Sequence, residues 1–299
     1  MRVAENQRYR QVEAKIGKAK ADNATALDGI STMKNLRQIS DDPVGLTRAI
    51  RYKDQISSFG QHVKNMDLAK GFMETSEQAL TSLTDNLIRA KELAIGMAND
   101  SNNASSRDAA SKEIRQIIDE VVMVGNANYN GRYVFAGFRN QTPPLSEDGG
   151  FSGDDGKIFI EASPGAFRSI NLPGRALFVP NEEERANGHY NMIEALQSLY
   201  QGMSENDKGM IQKSMSELEF HMDKVTSHQA SIGGMWNAMN NTQARVSRDL
   251  DASKVTLSEI EDADAFKVMS DFKQTETVLQ STLLASNKVL QPSLLNFLQ

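Results

Sequence analysis

Apolar residues recur at alternating steps of three and four along the carboxyl-terminal half of the chain. This stripe starts at Ile211, ends at Ile260 and covers about seven heptads, well above the three or four that indicate a coiled coil. An unbroken helix of this length measures about 75 Å, and it cannot bury its own apolar stripe. Gly233 and Gly234 lie inside the stripe, where each glycine costs roughly 1 kcal/mol relative to alanine. They mark either a tolerated weak point, or a close helix crossing or a bend that a side chain would block.

A second stripe of the same spacing supplies partner helices for the first. It extends from Ile56 to Val124 with one slip near Ala69, which indicates a coiled-coil seam with a local stammer. The polar break "NDSNNASS" separates two helices in this region, and Ser105 with Asp108 matches a capping box that would restart the second helix. We therefore expect an antiparallel bundle of helices that are distant in sequence.

Prolines separate these helical stripes from a different kind of segment. Five of the seven prolines lie between Gly137 and Asn181, where glycine is also frequent. The pattern predicts a mainly α protein of the α+β class, with a long antiparallel coiled-coil bundle of amino- and carboxyl-terminal helices and a small β-rich insert. The expected parts are terminal helices forming an inner assembly core (1–40 and 265–299), a coiled-coil rod (41–135 and 195–264) and a small outer β domain (136–194).

The two ends of the chain carry amphipathic patterns of opposite net charge. Residues 1–35 hold seven Lys or Arg against four Asp or Glu, whereas residues 254–299 hold four against six. We expect the two terminal helices to pair and, because apolar surface remains, to pack against further copies of the chain. The alternative is that they pack only onto the bundle. The carboxyl-terminal stripe contains the candidate assembly residues Phe272, Leu279, Leu283, Leu290, Leu294 and Leu298.

The stretch "NGRYVFAGFRNQTPPL" interrupts the helical sequence at residues 130–145. We interpret Asn130 and Gly131 as the end of a helix, because both residues favour helix-ending conformations. Tyr133 and Phe135 then begin a short strand. A plain hairpin at the end of the bundle is the alternative interpretation.

Side chains suited to chemistry are present, but they form no recognisable site. The chain has no cysteine, and its four histidines show no ligand spacing. His221 and His228 flank the seam, and we expect them on a solvated helix face. Asp154 and Asp155 lack the alternating ligands of an EF-hand loop and indicate a turn. Nothing organises a nucleophile, a base and an oxyanion site, so we expect no enzyme activity, no metal and no cofactor.

The net charge of −6 comes from interspersed acidic and basic residues, and no basic stripe indicates nucleic-acid binding. No apolar run reaches the length of a membrane span. The first residues lack the apolar segment of a secretory signal peptide, so export would need another route. We expect neither a nucleic-acid partner nor membrane insertion.

Two stretches carry a resemblance to a known family. "ISDDPVGLTRAI" is similar to an S-D-D-P-x-G turn that leads into a helix, in which Asp42 caps the helix and Pro43 takes its first position. "NGRYVFAGFRNQTPPL" resembles an N-G-x-Y-x-F-x-G segment before a threonine-proline pair. On these residues the chain resembles the flagellins. The candidate structural turns in the two stretches are Asp41, Asp42, Pro43, Gly45, Asn130, Gly131, Tyr133, Phe135 and Gly137.

A third stretch, "LIRAKELA", resembles a flagellin core segment. The resemblance implies axial contacts between stacked subunits through Arg89, Glu92 and Leu93. The chain also departs from the family, which usually has glycine where this sequence has Met33. Met235, Trp236 and Asn237 stand where the family tends to show an arginine and a leucine.

The resemblance implies a structural subunit of the bacterial flagellum, which serves motility. Such a subunit joins the hook, through the first hook-associated protein, to the flagellin filament, and it assembles with copies of itself into a short ring. It reaches the extracellular flagellum unfolded, through the flagellar type III export apparatus and with a flagellar export chaperone, without a cleaved signal peptide. The alternatives are a short filament flagellin and, from another class, a signalling coiled-coil module. "NGRYVFAGF" favours the junction, because filament flagellins usually read N-G-x-K-L-L-D-G there.

Overall fold

Long helices make up most of the chain, and two short hairpins lie between them. The computed structural model describes residues 2–36, 42–99 and 102–290. The helices are α1 Arg2–Thr32, α2 Pro43–Ala98, α3 Ala104–Gly125, α4 Arg175–Phe178, α5 Glu182–Ala186, α6 Met192–Ser204, α7 Lys208–Glu261 and α8 Ala265–Leu290. The strands are β1 Asn128–Tyr129, β2 Arg132–Tyr133, β3 Phe159–Ser163 and β4 Ala166–Ser169. The prediction of a mainly α fold with a small β-rich insert is confirmed.

The chain divides into two compact units, and each is described by itself. The first unit contains Met1–Ser58 and Leu250–Gln299, and the second contains Phe59–Asp249. In the first unit, α1 packs against α8, which is the pairing that the two amphipathic ends predict. The division into an inner core, a rod and an outer domain stays a prediction.

Helix α7 carries the seven-residue repeat into the core of the second unit. Its buried apolar residues recur at intervals of seven, and they are Ile211, Leu218, Val225, Ile232, Met239 and Val246. The alternate members of the stripe, Met215, Met222 and Trp236, are half-buried against the same core. A side chain added at Gly233 or Gly234 would meet open space among the described residues. A close crossing therefore does not explain these two glycines within one chain.

Helix α3 begins one residue after its cap, and that cap is Asn103. The Ser106 N–H donates to the Asn103 side-chain oxygen at 2.8 Å, so the predicted capping box at Ser105 and Asp108 is wrong. Asparagine caps at least as well as serine, and Asn103 comes two residues earlier in the polar break. Ser105 consequently falls inside the first turn.

The break after α3 is a hairpin, and the interpretation of Asn130 and Gly131 as a helix end is wrong. Helix α3 ends at Gly125, and β1 and β2 pair antiparallel around Asn130 (φ 50°) and Gly131 (φ 77°). Two left-handed residues give the tight turn that matches strand twist. Tyr133 closes β2 opposite Asn128, so no strand begins at Tyr133.

A tertiary contact explains why α3 ends where it does. The Asn126 side chain donates to Leu145 O at 2.8 Å and accepts from Leu145 N–H at 3.0 Å. A Cβ on Gly125 would come within 2.7 Å of the Leu145 side chain, so glycine lets this loop dock without displacing that side chain. The loop that follows "NGRYVFAGF" thus folds back onto the end of α3.

Aromatic packing organises the insert. The rings of Phe135 and Phe178 meet edge to face at 5.7 Å, and Phe151 stacks on Phe178 at 6.2 Å. The Phe135 side chain therefore packs in the core of the insert, and Phe135 does not belong to a strand. Gly137 (φ 70°) faces Asp154, whose carboxylate accepts from Phe138 N–H at 2.7 Å. That hydrogen bond lowers the pKa of Asp154, and it gives this aspartate a turn-forming role.

His221 is fully buried, so the prediction of a solvated face is wrong for this residue. Its Nε2 lies 3.0 Å from Tyr190 O, because the segment before α6 crosses α7 at this point. Among the described residues, Nδ1 has no hydrogen-bond partner. Burial lowers the pKa of His221 to about 4, so the ring is neutral near pH 7. His228 is half-buried, and burial lowers its pKa as well.

Candidate assembly surface

The helix pair α1 and α8 forms the surface on which the sequence places assembly. The facing stripe of α1 contains the buried Ala19, and on α8 it contains the buried Ser286. Between them, the Asn23 side chain donates to Thr275 Oγ1 at 3.3 Å. The stripe also contains half-buried apolar residues such as Ile16 and Leu279, so apolar burial contributes to the pairing.

The predicted assembly residues of α8 occupy different positions on this pair. Phe272 and Leu279 are half-buried, and Leu283 is 39% exposed. The backbone of Leu290 closes α8, while its side chain and the whole of Leu294 and Leu298 lie outside the described residues. These residues therefore remain candidates and not demonstrated contacts.

Further apolar side chains on the same two helices remain largely exposed to solvent. They are more than half exposed, and they are Tyr9, Leu27, Phe266, Met269, Val278 and Leu284. A lone exposed apolar residue is ordinary, whereas a set of six on two adjacent helices marks an interaction surface.

A short joint links the inner ends of the terminal helices. Asn35 N–H donates to Glu261 O at 2.8 Å, and Ala263 N–H donates to Met33 O at 2.9 Å. These bonds flank an antiparallel bridge between Lys34 and Asp262. The segment that follows α1 and the segment that precedes α8 are therefore hydrogen-bonded to each other.

A buried carboxylate stabilises this joint. Glu261 accepts from Lys34 Nζ at 2.6 Å and from Lys53 Nζ at 2.8 Å. Burial raises the pKa of Glu261, but the two lysines outweigh burial and hold the pKa below its usual value. Glu261 is thus ionised near pH 7 and bridges α2 to the segment after α1.

Met33 adopts a left-handed conformation at the end of α1, with φ 52°. Its N–H donates to Gly29 O at 2.9 Å, which closes the last turn of the helix. A non-glycine residue in this conformation costs roughly 1–2 kcal/mol. The glycine that the sequence resemblance leads one to expect here would avoid that cost.

Among the described residues, the turn into α2 has the helix cap that its sequence predicts. Helix α2 begins at Pro43, and Val44 N–H donates to Asp42 Oδ1 at 3.0 Å. A Cβ on Gly45 would collide with the Asp42 carboxylate, so a larger residue would displace this capping side chain. Asp41 lies outside the described residues.

The remaining candidate residues lie on the second unit. Arg89 donates to Glu113 at 2.6 Å and to Glu92 at 3.3 Å, and the hydrogen bond to Glu113 raises the pKa of Arg89. Arg89 and Glu92 are exposed, whereas Leu93 packs against the core of its own chain. Arg89 and Glu92 are therefore accessible at the surface, whereas the Leu93 side chain is partly buried.

The described parts of the chain contain no cluster of three or more potential metal-ligating side chains. No helix within them is long and apolar enough to cross a membrane.

Two family profiles match opposite ends of the sequence. The bacterial flagellin N-terminal helical region matches residues 3–140, and the bacterial flagellin C-terminal helical region matches residues 215–298. The chain belongs to the flagellin family. The two matched regions include most of α1, α2, α7 and α8. The family consists of structural proteins of the flagellum and is not known as enzymatic, so this chain has a structural role in the flagellum.

Relatives match this flagellin-family chain along nearly its whole length. Flagellar hook-associated protein 3 of Salmonella typhimurium is 21% identical and covers 94% of this chain and 95% of its own. Flagellin FlaB1 of Treponema pallidum is 23% identical and covers 95% of both. Both alignments therefore extend across the insert between the two matched regions.

Solved structures share the fold. A putative flagellar hook-associated protein from Vibrio parahaemolyticus superposes with a TM-score of 0.68 at 18% identity, over 74% of this chain and 100% of that one. FlgL of Bacillus cereus gives a TM-score of 0.60 at 20% identity, over 70% and 99%. The arrangement of long helices and small hairpins is therefore that of known flagellar proteins.

Sequence reasoning missed the joint around Glu261. Its two lysine partners are 227 and 208 residues away, so no local spacing indicates them. The only signal was a pair of acidic residues, Glu261 and Asp262, at the end of the long stripe. In a flagellin-family chain, such a joint holds together segments from the two terminal regions.

Proposed function

We propose that this chain is a subunit of the hook–filament junction. It joins the hook, through the first hook-associated protein, to the flagellin filament, and copies of it form a short ring. The observation that carries the proposal is the full-length likeness to flagellar hook-associated protein 3 of Salmonella typhimurium. Flagellin of the same species matches over only 40% of this chain and 25% of its own length.

The exposed apolar side chains of α1 and α8 support self-assembly. In the proposed ring, residues 1–40 and 265–299 form the inner core, and neighbouring copies cover their apolar faces. Residues 41–135 and 195–264 form the rod layer, and residues 136–194 face outward. Arg89, Glu92 and Leu93 make axial contacts between stacked subunits there.

Export in the unfolded state is part of the proposal. The subunit passes through the flagellar type III apparatus with the help of an export chaperone, and it folds where it assembles. The absence of cysteine in the sequence supports this route, because no disulfide has to be reduced before the chain is threaded.

A short filament flagellin is the second candidate function. The match to Treponema pallidum FlaB1 favours it, because the alignment covers 95% of each protein and the two chains are therefore similar in length. The segment "NGRYVFAGF" favours the junction instead, because its Phe135 packs into the insert core against Phe178. The resemblance leads us to expect a different sequence there in a filament flagellin.

Deletion of the gene separates the two candidates. Cells without the junction subunit should carry intact hooks without filaments and release flagellin into the medium, as seen by electron microscopy and immunoblotting. A copy of the gene supplied in trans should restore filaments. Full filaments on the hooks of deleted cells would overturn the proposal, and loss of all filament protein would support the flagellin candidate.

A further inference from the structure

The segment between α5 and α6 lies across helix α7 within the second unit. It consists of residues 187–191, the crossing segment. Gly188 gives it a left-handed turn after α5 (φ 92°), and Asn191 ends it as the cap of α6, where its side chain accepts from Glu194 N–H at 2.7 Å. Both ends of the crossing segment are therefore fixed by turns, and its middle residues, His189 and Tyr190, contact α7.

Polar contacts hold the middle of the crossing segment on α7. His189 Nδ1 lies 3.2 Å from one carboxylate oxygen of Glu217, and Tyr190 N–H donates to the other oxygen at 3.4 Å. His221 Nε2 lies 3.0 Å from Tyr190 O, and the His189 ring stacks on Phe220 at 3.9 Å. None of the segment's own residues is fully buried, whereas Glu217 and His221 are. The attachment consequently depends more on hydrogen bonds to two buried titratable groups than on buried apolar side chains.

The contacts of His221 determine where its protons are placed. Tyr190 O can only accept, so Nε2 of the neutral ring carries the hydrogen. A second proton would go to Nδ1, for which the described chain offers no acceptor. Burying such an unsatisfied, positively charged donor is costly, and burial lowers the pKa of His221 to about 4. The bound crossing segment therefore favours the neutral ring.

The charged groups around His221 add to this cost. Lys224 and His189 repel a positive charge on the ring, whereas Glu184 attracts it. Glu184 is already paired with Lys224 Nζ at 2.6 Å, and Glu217 is engaged by His189 and by the backbone of the crossing segment. Neither carboxylate is therefore free to pair with a protonated His221.

His189 responds to acid in the opposite direction. A proton on His189 strengthens its contact with the Glu217 carboxylate. The His189 side chain is 30% exposed, so solvent limits this gain. Lys213 adds a further positive charge, because its ammonium lies 5.5 Å from the centre of the Tyr190 ring. The burial of His221 therefore decides the balance.

We propose that the crossing segment is an acid-released strap, which covers α7 at neutral pH and detaches from it once the ring of His221 takes up a second proton. Detachment stays local, because Met192 and Ile193 at the start of α6 are almost completely buried and Leu218 of α7 packs in the core. This device goes beyond the proposed junction role and does not depend on it. Since all of its parts belong to one chain, it operates in the free subunit.

Hydrogen exchange of the full natural chain between pH 6.5 and pH 4, corrected for the intrinsic pH dependence of exchange, measures the opening. The equilibrium constant for opening of the crossing segment should rise about tenfold for each pH unit, because one proton is taken up on opening. Amides of α7 between Ile211 and Val246 should stay better protected than the segment at every pH. Equal opening of the segment and of α7 would overturn the inference, because the segment would then be released only when the whole unit unfolds.

His221→Gln tests the role of the ring, because glutamine can still donate to Tyr190 O and does not titrate. Opening of the crossing segment should lose most of its pH dependence in this variant. The matched control is His228→Gln, since His228 is a half-buried histidine of the same helix whose Nδ1 lies 2.9 Å from Lys224 O. This control should keep the pH dependence of the natural chain. An unchanged dependence in His221→Gln, or an equal loss in both variants, would overturn the inference.

Discussion

The two units of this chain use similar helical patterns and bury them to different extents. In the second unit, Leu80, Leu83 and Leu87 are completely buried. In the first unit, Phe266 is 88% and Leu284 is 66% exposed, although both lie on a helix of the same amphipathic kind. The second, closed unit buries its apolar stripe with its own residues, whereas the first, open unit leaves apolar side chains exposed, and we propose that neighbouring copies cover them.

The largest expected effect comes from removing a core side chain of the closed unit. Leu83→Ala should lower the free energy of unfolding by about 2–5 kcal/mol, since it leaves a cavity. Leu284→Ala, the same change in the open unit, should lower it by less than about 0.5 kcal/mol. Urea denaturation of the purified chain measures both, and similar losses would contradict the comparison.

Acid should weaken the closed unit through His221. Its pKa falls from about 6.5 in the unfolded chain to about 4 in the folded one, so the unfolded state binds the extra proton. Stability is complete above pH 6.5 and declines toward pH 4, by about 3 kcal/mol in all. Lys224 and His189 oppose the charge on His221, and Glu184 favours it.

His221→Gln tests this dependence, because glutamine can still donate to Tyr190 O but does not titrate. Stability measured between pH 7 and pH 4 should decline less steeply in the variant than in the natural chain. An unchanged slope would show that other groups carry the acid sensitivity.

A smaller effect is expected at the clamp that ends α3. Asn126→Ala removes both hydrogen bonds to the buried Leu145 and should cost about 1–3 kcal/mol. Asn128→Ala serves as the control, because Asn128 is exposed in β1. Denaturation midpoints compare the two. Equal shifts of the midpoint in the two variants would show that the hydrogen bonds between Asn126 and Leu145 do not hold the loop in place.

The smallest effect is expected at the joint of the open unit. Glu261→Gln removes the charge between Lys34 and Lys53, whose side chains are almost half exposed. Solvent screens such pairs, so the loss should be about 1 kcal/mol or less. Added salt should destabilise the natural chain more than the variant, and Glu259→Gln, at an exposed neighbour, should respond like the natural chain. A variant with unchanged salt sensitivity would exclude the lysine pairs as the cause.

The sequence indicated those parts whose signals are local or periodic. The seven-residue interval of Ile211, Leu218 and Val225 follows from helix geometry alone, and α7 ends within a residue of the predicted stripe. The start of α2 at Pro43 is equally local, because Asp42 caps the helix that proline begins. Such elements can be read without knowing the rest of the fold.

Contacts between distant residues were not predictable in this way. The end of α3 depends on Asn126 holding Leu145, 19 residues later, so a stronger local signal at Asn130 misled the interpretation. His221 occupies a seam-flanking position that looks solvated until the segment at Tyr190 crosses it. The candidate assembly residues stay predictions for the same reason, since their partners belong to other molecules.

Hydrogen exchange, measured on the free chain and on assembled hook–filament structures, tests the central claim most directly. In the free chain, amides of α1 and α8 should exchange quickly, while those of α7 between Ile211 and Val246 resist exchange. Assembly should protect α1 and α8 strongly and leave the core of the second unit nearly unchanged. Equal, strong protection of α1, α7 and α8 in the free chain would contradict an account in which neighbours complete the terminal helix pair.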